Sequence, residues 1–269
     1  MEIGRLQRDE IDAFLALAAA EGWVSDRWEF DFLLEAFPQG CFAGRVAGEP
    51  VAFVTAVTYG GSGWVGNLIV RRELRGEGVG TALMRRAMEA LAAAGAETVW
   101  LTASPSGRPI YERMGFREVD VITRWRGIAS GVSRVERAEP VGKELLACDR
   151  AGWGEGRQAL LSVVARRGAT FCGPGGFLII QPSSDGVQVG PWGSSSTGVA
   201  AALLDQALAA VAAGTEVVLD VPVRNVAAAA LLCARGFTAG GCTSLMVVGR
   251  EPSYVPENVY ALASLGSMG

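Results

Sequence analysis

Residues 8–21 and 26–37 repeat apolar positions with helical spacing and stop before Pro38 and Gly40, so the pattern predicts two helices at the start of the chain. CFAGRV, PVAFVTAVTY and GWVGNLIV then read as three strands. Gly48-Glu49-Pro50 and Gly60-Gly61-Ser62-Gly63 supply the turns between them, which makes this section an antiparallel meander. After the loop RRELRGEGVG comes a helix whose stripe, Leu83, Ala87, Ala90, Leu91 and Ala94, runs i, i+4, i+7, i+8, i+11 and is stopped by Gly95. The strand ETVWLTA, a short helix around Pro109 to Met114 and a last strand GFREVDVITRW complete a unit.

The second half repeats this ending. AAAGAETVWL at 92–101 reads against VAAGTEVVLD at 211–220, and YERMGF at 111–116 against LCARGF at 232–237. Upstream, helical segments near 140–150 and 155–167 precede the strands TFC, GGFLIIQ and DGVQVG, the order of elements found in residues 1–70. The expectation is two related α+β units, 1–127 and 132–269, each a mixed, mostly antiparallel sheet flanked by helices. Gly127-Ile128-Ala129-Ser130-Gly131 is expected as the linker between them.

Composition narrows the chemistry. Over 269 residues, half apolar and 19% charged, no apolar run approaches a membrane span, and the chain is read as soluble and cytoplasmic. A net charge of −4 gives no general attraction to nucleic acid or anionic membrane, so any anion site must be local. The basic residues cluster in that way: Arg71, Arg72, Arg75, Arg85 and Arg86 surround the glycine-rich loop. Five cysteines without a CxxC pair support neither a disulfide framework nor a thiolate metal site. The chain has no histidine, which removes Ser-His-Asp and Cys-His catalysis and HExxH zinc sites together. No metal is expected.

The loop itself, Arg75-Gly76-Glu77-Gly78-Val79-Gly80, is neither a P-loop nor a dinucleotide fingerprint. GxxxxGK[ST] is absent, Thr81 stands where a third Rossmann glycine would fall, and the next strand ends in Trp100-Leu101-Thr102-Ala103 without an acidic residue. A strand, a basic glycine loop and a helix start still make a pyrophosphate site, because first-turn amides lack intrahelical partners and the helix dipole favours an anion.

With GNLIVRRELRGEGVGTALM in place, residues 1 to about 126 resemble the GNAT superfamily of N-acetyltransferases, most densely from Gly66 to Phe116. Arg75, Gly76, Gly78 and Gly80 represent its R/Q-x-x-G-x-G/A signature. The resemblance implies that Leu68, Ile69 and Val70 pair through their backbone with the pantetheine arm of acetyl-CoA, and that amides from Gly76 through Glu77, Gly78, Val79 and Gly80 to Thr81 wrap its pyrophosphate. A strand-edge amide there would also stabilise the thioester oxyanion. Tyr111, four residues before Gly115-Phe116, has the spacing of the family's general acid.

The link from Leu101 to Tyr111 departs from the family pattern: it is three residues shorter than usual, lacks the Asn often found at its start, and holds Ser104-Pro105-Ser106-Gly107-Arg108-Pro109 instead. Ser104 or Ser106 as a replacement for that Asn, and Arg108 on a CoA phosphate, are weaker readings than a proline-rich turn. No general base is assigned; Asp26, Glu29, Asp31 and Glu35 on the second helix are candidates, though charges on such a helix usually face solvent. In the second unit Leu232 replaces the tyrosine and VGPWGSSSTG replaces the loop, so it reads as a degenerate copy that packs on the first, with Trp192 and Asp220 as speculative lining of an acceptor pocket. The expectation is an acetyltransferase acting on a primary amine of a small molecule, peptide or protein. Its partners are acetyl-CoA and an unknown acceptor, with neither nucleic acid nor membrane, and a homodimer is left open. The rival is a non-catalytic acyl-CoA-binding or regulatory module.

Overall fold

The computed structural model describes residues 1–131, 141–184 and 186–269; the expected start of the second unit at 132 and Asp185 of DGVQVG lie outside the described residues. The first half runs β1 (Glu2–Arg5), α1 (Ile11–Ala20), α2 (Arg27–Ala36), β2 (Phe42–Val46), β3 (Glu49–Tyr59), β4 (Ser62–Val70), α3 (Val79–Ala93), β5 (Thr98–Ala103), α4 (Arg108–Arg113) and β6 (Arg117–Ile128). The second runs α5 (Lys143–Trp153), α6 (Gln158–Arg167), β7 (Ala169–Gly173), β8 (Gly176–Ser183), β9 (Gly186–Ser194), α7 (Thr197–Ala210), β10 (Glu216–Pro222), α8 (Val226–Cys233), β11 (Thr238–Gly249) and β12 (Val259–Ala261). Apart from β1 and β12, the two halves carry the same elements in the same order.

Among the described residues the strands join in one sheet, ordered β1-β2-β3-β4-β5-β11-β6-β10-β9-β8-β7, with β12 beside β9. Two pairs are parallel, β4 with β5 and β9 with β10; the other pairs are antiparallel. The mixed, mostly antiparallel sheets expected for each unit are thus present but fused. β11 of the second unit lies between β5 and β6, and β6 of the first pairs with β10, so each unit lends the other the strand that follows its Gly-Phe pair. Gly127 and Ile128 close β6, and Ala129 continues it by donating its N–H to the Thr215 carbonyl at 2.9 Å.

Apolar stripes decide which helix faces turn inward. Phe14, Phe30, Leu33, Leu83 and Met84 enter a first core with β3, while Leu203, Leu204 and Leu232 enter a second with Trp192 and Tyr260. The first core is not built by the first half alone. Trp153 of α5 meets Trp64 and Trp100 edge-on at 6.2 and 5.7 Å, and Leu262 and Met268 of the segment after β12 are also buried there.

Arg124 on β6 and Asp220 on β10 are direct cross-strand partners, and the guanidinium donates Nε and Nη2 to the buried carboxylate at 2.8 and 2.9 Å. Removing the acid leaves a largely buried cation uncompensated. Asp220→Ala is therefore expected to lower the unfolding free energy by about 3 kcal/mol, read as a lower urea midpoint at unchanged slope. An unchanged midpoint would mean that desolvation cancels the pair.

Candidate active site

Parallel pairing of β4 with β5 is brief: Ser62↔Thr98, Gly63↔Val99 and Trp64↔Trp100. Beyond it the strands part, and β4 bends because Asn67 and Leu68 together oppose Val54 between the pairs Thr55↔Gly66 and Phe53↔Ile69, a β-bulge with Asn67 at φ 54°. Leu68, Ile69 and Val70 therefore lie where β4 has β3 on one side and no β5 pairing on the other. A strand edge of this kind presents peptide groups to an extended ligand.

The glycine loop follows. Gly76 and Gly78 adopt φ of 86° and 81°, and a Cβ at either would meet nothing within 4 Å, so both left-handed turns open onto free space. Gly78 precedes α3 with no side-chain cap, and the first rung of the ladder is Ala82 N–H to the Gly78 carbonyl at 3.0 Å. The amides of Val79, Gly80 and Thr81 come before that rung. α7 and α8 differ, since Ser196 and Asn225 cap them by accepting from Val199 and Ala228 N–H. Compared with α7 and α8, the start of α3 keeps its first-turn amides free of a side-chain cap, and a Cβ at Gly80 would lie 3.6 Å from Val70 Cγ2. Glu77 is exposed. Arg75 is committed elsewhere: Nε donates to the Val70 carbonyl at 2.8 Å and Nη2 pairs with Glu21 at 2.8 Å. It fastens the end of β4 to the end of α1, and its pairing holds the Glu21 carboxyl below its ordinary range.

Tyr111 on α4 faces the same cavity as Leu68 and Asn67, a space of about 340 Å³. Its ring stands edge-on to Phe116 at 6.0 Å, and burial pushes the phenol up to about 12, so the hydroxyl keeps its proton at neutral pH. The link before it is a turn: Ser104 Oγ accepts from Gly107 N–H at 3.2 Å, and Arg108 pairs with Glu112 and Glu118 at 2.7 and 2.6 Å.

The far wall of the cavity draws on both halves. Gln188, Glu216 and Val218 of the second line it with Arg124 of β6 and with Trp23 and Val24 from the α1–α2 loop. Asp220 stays behind Arg124 with no exposed surface, and Trp192 lies in the second core against Tyr260 at 4.7 Å, so neither forms lining. The segment after β12 returns across the sheet to β4. Gly266 accepts from Asn67 N–H at 3.2 Å, Met268 from the Tyr59 hydroxyl at 2.9 Å, and Leu265 from Thr102 Oγ1. Gly66 allows this approach, because a Cβ there would come within 2.4 Å of the Gly266 carbonyl.

This segment meets Glu29, one of the four carboxylates on and beside α2. Ser264 and Ser267 donate their hydroxyls to Glu29 Oε1 and Oε2 at 3.0 and 2.8 Å. Glu29 is 8% exposed on the cavity wall. Burial raises its carboxyl from 4.5 to about 7, against the lowering effect of the two serines. In that window the folded chain holds more protons than the unfolded one, so stability falls as pH rises from about 4.5 to about 7. Glu29→Gln removes this cost, amounting to about 3 kcal/mol above pH 7. The variant should therefore melt higher than the wild type at pH 8 and alike at pH 4.5, by calorimetry at both values. The signal available in the sequence was Glu29 sharing the inward face of α2 with Phe30 and Leu33.

Among the described residues no group of His, Cys, Asp or Glu is placed to hold a metal ion, and no helix is long and apolar enough to cross a membrane. Comparison with known proteins gives a family for each half. The model of the Acetyltransferase (GNAT) family matches residues 7–116, and that of an Acetyltransferase (GNAT) domain matches residues 145–261. The holothin acyltransferase of Pseudoalteromonas sp. is 29% identical over 263 residues, covering 92% of this chain and 88% of its own. Among solved structures, an acetyltransferase-type chain from Pyrococcus horikoshii superposes with a TM-score of 0.87 at 22% identity, covering all of this chain and 95% of that one. A GCN5-related N-acetyltransferase from Sphaerobacter thermophilus gives 0.63 at 16%, covering 97% and 98%.

Proposed function

The chain belongs to the acetyltransferase (GNAT) family, and on that premise we propose that one site, in its first half, transfers acetyl from acetyl-CoA to a primary amine of a small molecule, peptide or protein. The observation that carries this reading is a run of adjacent features: Leu68 and Tyr111 line one cavity where β4 has left its pairing with β5, and β4 leads on through the glycine loop into the uncapped start of α3. The pantetheine arm extends along the β4 edge, the pyrophosphate rests on the amides from Gly76 to Thr81, and Tyr111 protonates the departing thiolate. The second unit, with Leu232 in the tyrosine position, supplies no transfer site of its own and closes the acceptor side instead. A cavity of about 340 Å³ suits a small molecule or a single inserted side chain. The units are drawn as 1–127 and 132–269, and the location as the cytoplasm.

Fit to acetyl-CoA rests on the open Gly76 and Gly78 turns and the uncapped helix. A non-catalytic binding module is not favoured, since the relative that aligns with both halves is named an acyltransferase. The test is thiol release from acetyl-CoA against a panel of primary amines, with mass spectrometry for an added acetyl group. Binding of acetyl-CoA without turnover on any amine would favour the binding module.

A further inference from the structure

Resting on the acyl-transfer reading above, we propose that Glu29 is the general base of the reaction and that Ser264 and Ser267, brought back from the second half, are its positioning residues. Four carboxylates on and beside α2 were candidates, and their surroundings separate them. Asp31 pairs with Arg8, Asp26 lies 3.6 Å from Arg167, and Glu35 is exposed; Glu29 alone of the four lines the cavity with Tyr111 and Leu68. Phe30 and Leu33, both fully buried, fix the face of α2 that carries it.

The hydrogen bonds around Glu29 serve both of its protonation states. Ser267 has one hydroxyl proton and two acceptors in reach, Glu29 Oε2 at 2.8 Å and Asn67 Oδ1 at 3.2 Å, while Asn67 Nδ2 is held by Thr55 Oγ1 at 3.0 Å. When Glu29 is ionised, Ser267 donates to it. When Glu29 takes a proton, it donates to Ser267 Oγ, and that hydroxyl turns to Asn67. The one hydroxyl proton thus serves Glu29 in the ionised state and Asn67 Oδ1 in the protonated one, an adjustment that a carboxylate locked to an arginine could not make. The charged groups around it are Asp26, at the N-cap of its helix, and Arg167 of α6, which stacks on Trp28 at 4.1 Å; Tyr111 lines the same cavity. A carboxyl raised to about 7 by burial suits a base working near neutral pH.

In the step, a protonated amine first gives a proton to the Glu29 carboxylate, which passes it to solvent; the neutral nitrogen then bonds to the acyl carbon and the carbonyl electron pair moves to oxygen. The nitrogen proton passes to the Glu29 carboxylate. On collapse the C–S bond breaks with its electron pair on sulfur, which takes the Tyr111 proton; Glu29 then releases its proton to solvent and Tyr111 regains one.

The test compares Glu29→Gln with the wild-type full chain on two acceptors, 2-phenylethylamine, protonated at neutral pH, and aniline, already neutral. The expected result is a loss of about 100-fold in kcat on 2-phenylethylamine and less than about 10-fold on aniline, with unchanged acetyl-CoA affinity and loss of the acid limb of the pH profile. The Ser264→Ala/Ser267→Ala variant should keep that limb but shift it to higher pH, since the hydrogen bonds that favour the ionised form are gone. Equal losses on both amines, or an unaltered pH profile, would overturn the assignment with acyl transfer intact. A wild type inactive on both amines would instead remove the acyl-transfer reading and the base with it.

Discussion

Tyr111→Phe is expected to lower kcat about 100-fold while leaving the dissociation constant of acetyl-CoA within about twofold. A thiolate leaves the tetrahedral intermediate more readily when it is protonated as it goes, and Tyr111 lines the cavity beside Leu68, beyond the end of the β4–β5 pairing. Burial raises the phenol to about 12, which keeps the proton available at every working pH but makes it a weaker acid. The expected loss is therefore set at the lower end of the range for general acids. Phenylalanine keeps the edge-on contact with Phe116 at 6.0 Å, so the fold and cavity shape should survive. Steady-state kinetics paired with calorimetric binding separates the outcomes, and an unchanged kcat would leave Tyr111 as packing.

What could be read from the sequence follows the range over which each feature is determined. The glycine loop was legible because its elements are local: a strand, glycines spaced by two, and a helical stripe within thirty-odd residues. Tyr111 stood out by its spacing to Gly115-Phe116, and it lies on the cavity wall. Arg75 illustrates the limit, since its motif position suggested an anion contact, yet its guanidinium is held by Glu21, 54 residues away. Glu29 lies beyond the limit too, because its environment is completed by Ser264, 235 residues later in the chain. Periodicity marked α2 as amphipathic, but an acid on such a helix is ordinarily solvated, and the segment LASLGSMG that covers it gives no periodic signal at all. The exchange of β6 and β11 was hidden for another reason. The two units end in similar strands after Gly-Phe, and a duplicated sheet offers each strand equivalent partners in its own unit and in the other.

Gly78→Asp should weaken acetyl-CoA binding more than about 100-fold with little change in melting temperature. These two outcomes point in opposite directions for a physical reason. Aspartate tolerates the left-handed conformation better than most residues, the space around a Cβ at position 78 is empty, and an acid at a helix start interacts favourably with the dipole. The same carboxylate competes with the pyrophosphate for the amides of Val79, Gly80 and Thr81 and repels it. Gly78→Asn, similar in shape but neutral, should lose much less, which separates charge from bulk; added salt should narrow the gap between the two variants. Arg75→Glu acts by a different route, setting two acids against each other at Glu21 and loosening the junction of β4 with α1, so its effect should extend to stability as well as binding. Titration calorimetry measures affinity and stoichiometry together, and one site per chain is expected. Undiminished binding by Gly78→Asp, or two equivalent sites in the wild type, would move the pyrophosphate away from this loop.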